Sequence, residues 1–281
     1  AFIAKISLGG LDSTPPIITV ATSVAPNANG WNNTPVTVTW TVTDAESAIS
    51  SQSGCGSVTL SAETAGTTLT CTATSAGGTA SQSVTVRIDM TVPGVVTAKN
   101  PVPNVNGWNN TNVDVLFTCT DALSGPVTAS ATVTVTTEGF NQSASYSCQD
   151  RAGNVRPPIT VSNISIDKTA PTASAAKSPA PNASGWNNTN VAANFACADS
   201  LSGVVAASAT TTVSSEGAGQ SASYTCQDLA GNSASASVSN INVDKTMPGF
   251  GTARSPAPNA NGWNNTIVNA IFTCSDALSG P

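Results

Sequence analysis

The stretch Val191-Ala-Ala-Asn-Phe-Ala-Cys197 places an apolar side chain at every second position, and Ala222-Ser-Tyr-Thr-Cys226 does the same. Side chains that alternate with a period of two share one face of a β-strand, so each stretch predicts a strand with one buried face. Thr- and Val-rich stretches such as residues 131–137 favour strands through β-branching. Gly- and Asn-containing turns separate the stretches, and no stretch has a helical period. The sequence therefore predicts an all-β fold built from small antiparallel sandwiches.

An internal repeat of 77 or 78 residues carries this pattern along the chain. Gly-Trp-Asn-Asn begins at residues 30, 107, 185 and 262, in steps of 77, 78 and 77. The marker Asp-x-Thr-x-Pro keeps the same steps from residues 12, 89, 167 and 244, and we take it as the junction between repeats. The predicted domains are a tail of a preceding domain or linker strand at 1–15, three repeats at 16–92, 93–170 and 171–247, and a partial repeat at 248–281. Repeats that contact mainly their neighbours predict an extended rod.

The cysteines follow the repeat. Cys119 and Cys148 are 29 residues apart, and so are Cys197 and Cys226, with an aromatic residue two positions before each of the four. A spacing of two puts each aromatic and its cysteine on the same inward face, so we predict that each pair forms a disulfide between the two sheets of its sandwich.

The first repeat departs from this pattern. Val42 stands where the first cysteine is expected, and Cys55 is an additional cysteine. We therefore predict a Cys55–Cys71 disulfide and leave Cys274, in the partial repeat, unpaired within the chain. A disulfide in every complete repeat indicates an oxidising, extracellular compartment.

Composition excludes several function classes. The chain has no histidine, so it can form neither a Ser-His-Asp triad nor a histidine metal site. Nine basic residues and a net charge of −6 argue against binding of nucleic acid. No apolar run approaches the 18 or more residues of a membrane span.

Most acidic residues recur with the repeat, and the three that do not are Glu46, Glu63 and Asp114. A catalytic carboxylate pair is needed once, whereas these residues recur with the fold. We therefore predict no enzyme activity, no catalytic residue and no bound cofactor.

The linker Asp residues have two interpretations. Asp89, Asp167 and Asp244, together with loop Asp residues and backbone carbonyls, could gather the six to eight oxygens that calcium takes. The other interpretation is turn chemistry, because Asp caps backbone groups at strand ends and turns. No dense Asp-x-Asp-x-Asp run is present, so we favour turn chemistry and keep calcium as the alternative.

The tryptophans of the Gly-Trp-Asn-Asn loops also have two interpretations. These residues are Trp31, Trp108, Trp186 and Trp263. A loop Trp can stack on a sugar ring, which would make the repeats carbohydrate-binding modules. We favour packing over the end of the sandwich or on the next repeat, because aromatic residues are only 5% of the chain.

Taken together, the motifs resemble the tandem bacterial immunoglobulin-like repeats of large secreted and cell-surface proteins. The residues that carry the resemblance are Gly185-Trp-Asn-Asn-Thr189, Phe195-Ala-Cys197-Ala-Asp199, Tyr224-Thr-Cys226-Gln-Asp228, Ala230-Gly-Asn232 and Asp244-Lys-Thr246-Met-Pro248. The resemblance covers residues 16–281, and the first repeat departs from it at Val42, Leu69 and Ala73. It implies immunoglobulin-like β-sandwiches in an extracellular stalk, adhesin or fibre, and it supplies no catalytic residues.

We therefore expect a structural, non-catalytic protein of an extracellular stalk, surface fibre or filament, whose partners are copies of itself or neighbouring rods. The alternative is an adhesin or carbohydrate-binding array that holds surface glycans with the Gly-Trp-Asn-Asn loops. In a third class, an enzyme, the catalytic domain would lie outside these residues and the repeats would be its spacer.

The partial repeat at 248–281 holds less than half of a sandwich. A strand pair with one apolar face is marginal in water by itself. We expect either the continuing chain or another chain to complete it, with head-to-tail continuity along a filament. Packing of these residues back onto the third repeat would contradict both versions.

Overall fold

A computed structural model of the protein describes residues 11–281, and all of its regular secondary structure is β. The all-β prediction is therefore confirmed for these residues. No helix in this part of the chain has the length and hydropathy of a membrane span. Of the predicted tail at 1–15, residues 1–10 lie outside the described residues.

The first repeat forms two three-stranded antiparallel sheets. Its strands are β1 (Ile17–Thr22), β2 (Val36–Thr43), β3 (Ser51–Ser53), β4 (Val58–Leu60), β5 (Thr64–Ser75) and β6 (Gly78–Ile88). One sheet has the order β1-β2-β4 and the other the order β3-β5-β6. Their inner faces meet in one core, in which Val36, Val38 and Trp40 of β2 pack with Val86 and Ile88 of β6.

The second and third repeats share one strand plan. The strands of the second are β7 (Gly94–Asn100), β8 (Val113–Thr120), β9 (Ser130–Val135), β10 (Gly139–Tyr146) and β11 (Ile159–Ile166). Those of the third are β12 (Thr172–Ser178), β13 (Val191–Ala198), β14 (Ser208–Val213), β15 (Gly217–Gln227) and β16 (Ser233–Val243). The sheets are β7-β8-β9 with β10-β11, and β12-β13-β14 with β15-β16.

The core of the third repeat is built on the alternating stretch at residues 191–197. Val191, Ala193 and Phe195 of β13 are buried and pack with Ile241 and Val243 of β16, so the core lies between the two sheets. Alternate residues of β13 are buried along the whole strand, which is the period-two pattern that the sequence predicts.

Three disulfides are present, with the predicted pairings. Cys197–Cys226 joins the two sheets of the third repeat, with a Cα–Cα distance of 5.6 Å. Cys119–Cys148 joins β8 to the segment that follows β10, with a Cα–Cα distance of 5.9 Å. Cys55–Cys71 instead joins the loop after β3 to the neighbouring strand β5. Cys274 is free and exposed.

The partial repeat forms only one pair of strands, β17 (Gly249–Ser255) and β18 (Asn269–Ser275). Nearly every residue of this pair is exposed, so it does not pack back onto the third repeat.

The chain divides into two compact units, and the division passes through the second repeat. One unit runs to Asn100 and adds Asp114–Val135 and Ser143–Ser162. The other comprises Pro101–Val113, Thr136–Gln142 and Asn163–Pro281. The contact between the first and second repeats described below lies within the former unit, and that between the second and third lies within the latter. The predicted repeat boundaries and the rod stay predictions.

Candidate functional site

Each Asp-x-Thr-x-Pro linker leaves its repeat beside the Gly-Trp-Asn-Asn loop. Asn32 donates its backbone N–H to Arg87, and Asp89 donates its own to Asn32, at 3.0 and 2.9 Å. The same bonds join Asn187 to Asn242 and Asp244 in the third repeat. The linker carboxylates are thereby fixed inside the protein, and Asp89 and Asp167 are both fully buried.

Each buried linker Asp meets two further carboxylates from the repeat that follows. Asp89 lies with Asp121 and Asp150, and Asp167 with Asp199 and Asp228. In each cluster one oxygen from each residue lies within 4.8 Å of the others. We call these two groups the junction clusters.

The second member of each junction cluster sits in a turn that follows β8 or β13. Asp199 accepts N–H bonds from Leu201 and Gly203 at 3.0 and 2.9 Å. Burial raises the pKa of Asp199, but the N–H donors of Gly203, Leu201 and Ser202 together hold that pKa below its ordinary value. Ser202 also donates its N–H to the carboxylate of Asp167 at 3.0 Å, so this turn is hydrogen-bonded to the preceding linker.

The third member of each cluster, Asp150 or Asp228, lies two residues after the second cysteine of a disulfide, Cys148 or Cys226. Asp228 accepts the N–H groups of Gly231 and Asn232 at 2.7 and 2.8 Å. The amide of Asn232 then donates to Asp228 and, at 2.9 Å, to the backbone carbonyl of Asp167. Asn154 makes the equivalent bonds to Asp150 and to the carbonyl of Asp89.

This geometry suits both interpretations of the Asp residues. The N–H donors on all three carboxylates are the capping bonds that turn chemistry predicts. Calcium binds oxygens at 2.3–2.6 Å, so two of its ligands lie at most about 5 Å apart, and the spacing in the clusters fits one shared ion. The residues that could hold it are Asp89, Asp121, Asp150 at one junction and Asp167, Asp199, Asp228 at the other.

The third predicted calcium candidate, Asp244, is placed differently. It accepts the N–H of Ser279 at 3.0 Å and lies beside Asp276, but no third carboxylate joins it among the described residues. Hydrogen bonds from Ser279 hold the pKa of Asp244 below its ordinary value.

At the start of the first repeat, hydroxyl and backbone amide donors bond to the linker Asp at the place where the third carboxylate of a junction cluster would lie. Ala73 stands at the position of Asp150 and Asp228, and Asp12 instead accepts bonds from the Ser75 hydroxyl and the Gly77 N–H. A further bond, from the Ser47 hydroxyl, is the main reason why the pKa of Asp12 falls from 3.8 to about 2.

The Gly-Trp-Asn-Asn loops also contact the next repeat, through asparagines. Asn27 and Asn29 donate their side-chain amides to the carbonyl of Arg151 at 2.8 and 3.0 Å. At the next junction Asn104 and Asn106 bond to the carbonyl of Leu229 at 2.8 and 3.1 Å. These loops are therefore part of the contact between repeats.

The tryptophans of these loops differ in exposure. Trp108 is buried and its ring centroid lies 5.9 Å from that of Phe140, as the packing interpretation predicts. Trp31 and Trp186 are half-buried, and Trp263 is 75% exposed. A groove of about 310 Å³ runs beside Trp186 and is lined by residues 179–182 and 186–188.

In the first and second repeats, one Glu carboxylate accepts two hydrogen bonds from the linker that follows the last strand. The sequence did not reveal that the first repeat shares this contact. Glu138 accepts the N–H of Lys168 and the hydroxyl of Thr169, and Glu63 makes the same bonds to Met90 and Thr91. The interpretation of Glu63 as a residue outside the repeat is therefore wrong. It lies 75 residues before Glu138 rather than 77 or 78, so a fixed spacing does not find it.

Several solved structures were found to be similar to this chain, and two of them are described here. One is of fibronectin(III)-like modules of CbhA from Clostridium thermocellum, with 14% identity, a TM-score of 0.27, and coverage of 54% of this chain and 94% of that one. The other is of a 1.5-MDa bacterial ice-binding adhesin, with 16% identity, a TM-score of 0.32, and coverage of 83% and 100%. No family model and no curated sequence matches the chain. With identities and TM-scores this low, the function has to be argued from the chain's own residues.

Proposed function

We propose that the chain is a structural, non-catalytic segment of an extracellular stalk, surface fibre or filament. In this proposal each junction holds two consecutive repeats in a fixed orientation. The observation that supports it most strongly is the bond from Asn154 to the carbonyl of Asp89, which Asn232 and Asp167 repeat at the next junction.

The burial of the linkers supports the same proposal. A flexible linker keeps its backbone and side chains in water, as Gly- and Ser-rich linkers do. Here the carboxylate of Asp167 is fully buried, and it is bonded to the N–H of Ser202 from the following repeat. Bending at this point would expose these groups to water or break their hydrogen bonds. Each buried group left without a partner would cost about 1–3 kcal/mol.

The disulfides support an extracellular location. Each of the three complete repeats has one, and disulfides persist in oxidising compartments. Exposed threonine and serine hydroxyls also pair across strands, for example Thr70 with Ser83 and Thr225 with Ser235. Such a surface has few charges to repel neighbouring rods, and we propose copies of the chain as partners.

An adhesin is the second candidate, and the groove beside Trp186 favours it. A half-buried Trp flanked by Asn182 and Asn188 offers an apolar ring face together with amide donors and acceptors. Retention of the chain on surface polysaccharides that Trp186→Ala abolishes and Trp108→Ala preserves would favour the adhesin over the purely structural role.

Calcium is the second candidate for the junction clusters. Three carboxylates at this spacing repel one another by about 3 kcal/mol per pair at an effective dielectric constant of about 20, and a divalent cation would remove that repulsion. Titration calorimetry with calcium is then expected to show two sites per chain. Asp228→Asn should remove one site and Asp150→Asn the other.

The start of the first repeat provides the control for this titration. Asp12→Asn changes an equivalent linker carboxylate outside the two junction clusters, so both calcium sites should remain. Absence of binding heat in the unaltered chain would leave turn chemistry as the sole role of the clusters.

A further inference from the structure

The dipeptide Asn-Gly opens the Gly-Trp-Asn-Asn motif in three loops, with its asparagine at residues 29, 106 and 261. The turn needs the glycine because its φ is positive, +79° at Gly30 and +83° at Gly107. In the third repeat Ser184 takes the place of the asparagine, and Gly185 keeps a φ of +86°. The turn therefore forms without an asparagine before the glycine.

In the first two repeats this asparagine contacts the repeat that follows. The side-chain amide of Asn106 donates to the carbonyl of Leu229 at 3.1 Å, and the N–H of Gly107 donates to the carbonyl of Asn104 at 2.9 Å. Asn29 makes the same contact with the second repeat, at 3.0 Å. Asn29 and Asn106 are exposed, so water reaches both.

An Asn-Gly dipeptide can lose its side-chain amide without any enzyme. The backbone nitrogen of the glycine attacks the side-chain Cγ of the asparagine, because no Cβ hinders it from the glycine. A C–N bond closes the succinimide ring, and the side-chain nitrogen leaves as ammonia with the proton of the attacking nitrogen. Water then opens the ring at either carbonyl and gives aspartate or isoaspartate. No electron is transferred, and water is the only co-reactant.

We propose that Asn29 and Asn106 are deamidation sites whose reaction is controlled by docking of the following repeat. In the docked state the nitrogen of Gly107 is bonded to Asn104, and the amide of Asn106 is held on Leu229. Both reacting groups must leave these bonds, so the rate follows the fraction of time that the junction is open. This inference rests on the fixed junctions of the proposed function.

The reaction also changes the junction that controls it. A carboxylate has no proton to donate, so aspartate at position 106 loses the bond to the carbonyl of Leu229. Isoaspartate in addition lengthens the backbone of the turn by one carbon. A junction that has reacted is therefore open for more of the time, and the change is irreversible.

The neighbouring Asn104 is an internal control for this chemistry. It donates to the same carbonyl of Leu229 at 2.8 Å, but Val105 follows it in place of glycine. The branched Cβ of Val105 hinders attack by its nitrogen. Asn104 should keep its amide in samples in which Asn106 is converted.

The test loosens each junction from the side of the following repeat and leaves the Asn-Gly loops unchanged. Asn232→Ala removes the side-chain bonds to Asp228 and to the carbonyl of Asp167. Asn154→Ala removes the equivalent bonds at the junction between the first and second repeats. The full chains are incubated in mildly alkaline buffer and digested at acidic pH, and mass spectrometry measures conversion of each asparagine.

The two variants are expected to give opposite results at the two sites. With two junction bonds lost, Asn232→Ala should accelerate conversion of Asn106 about tenfold and leave Asn29 unchanged, and Asn154→Ala should do the reverse. The unaltered chain unfolded in urea gives the rate without protection. In the folded unaltered chain both sites should react more slowly than in urea, and this comparison depends on neither variant.

Three outcomes would overturn the proposal: conversion of Asn106 as fast in the folded chain as in urea, no conversion in urea, or equal acceleration of both sites by one variant. Residual dipolar couplings separate such a failure from failure of the structural role. If one alignment tensor fits the second and third repeats while Asn106 is unprotected, the junction is fixed and only its control of deamidation is wrong. Separate tensors together with an unprotected Asn106 would overturn both.

Discussion

Replacing Phe195 with alanine is expected to destabilise the third repeat by about 3–5 kcal/mol, while the same change at Phe272 costs less than about 0.5 kcal/mol. The two residues occupy the same place in successive repeats but are 2% and 66% exposed. Phe195 fills the core between β13 and β16, so truncation leaves a cavity there. A repeat of this size has a total stability of about 4–12 kcal/mol, so Phe195→Ala removes a large part of it.

Hydrogen exchange of the full chain, read by mass spectrometry on peptides from β13 and β16, measures the effect where it arises. Exchange in these strands should accelerate in Phe195→Ala and stay unchanged in Phe272→Ala. Equal acceleration in the two variants would mean that Phe272 stabilises the core of the third repeat, which contradicts its 66% exposure.

Removing the disulfide of the third repeat, with Cys197→Ala and Cys226→Ala together, should cost about 3–4 kcal/mol. The bond closes a segment with a sequence separation of 29, and losing it releases that constraint on the unfolded chain. In an array of repeats each repeat couples mainly to its neighbours, so the first repeat should keep its stability.

The matched variant removes Cys55 and Cys71 instead. This bond spans 16 residues and should contribute about 3 kcal/mol to the first repeat alone. Denaturant-dependent hydrogen exchange resolves the repeats within one sample. If either double variant lowered the stability of all three repeats equally, the predicted repeat boundaries would be wrong.

The strands and disulfides could be predicted because local spacing determines them. A period of two in residues 191–197 specifies which side chains face inward, and the same spacing carries the cysteines to that face. The relocated bond of the first repeat could also be found, since Cys55 and Cys71 were the only cysteines there without another partner.

The junctions could be predicted only in part, because they join residues that are far apart in sequence. Asp89 and Asp167 were recognised as linker carboxylates, but their meeting with Asp150 and Asp228 depends on how one repeat follows another. The asparagine contacts to Arg151 and Leu229 carry no motif of their own beyond the loop that contains them. Glu63 escaped detection because the first repeat differs in the spacing between its strands.

Hydrogen bonds at each junction hold consecutive repeats in a fixed orientation in the function proposed above. This orientation can be measured with residual dipolar couplings of backbone amides in the full chain. The proposal predicts that one alignment tensor fits the couplings of the second and third repeats together. Asn104 and Asn106 both donate to the carbonyl of Leu229, so replacing both with Asp removes these two bonds and the fit should worsen. Asn182→Asp, at the equivalent position of the following loop, should leave the fit unchanged. Separate tensors of different magnitude for the two repeats in the unaltered chain would show a flexible hinge and contradict the claim.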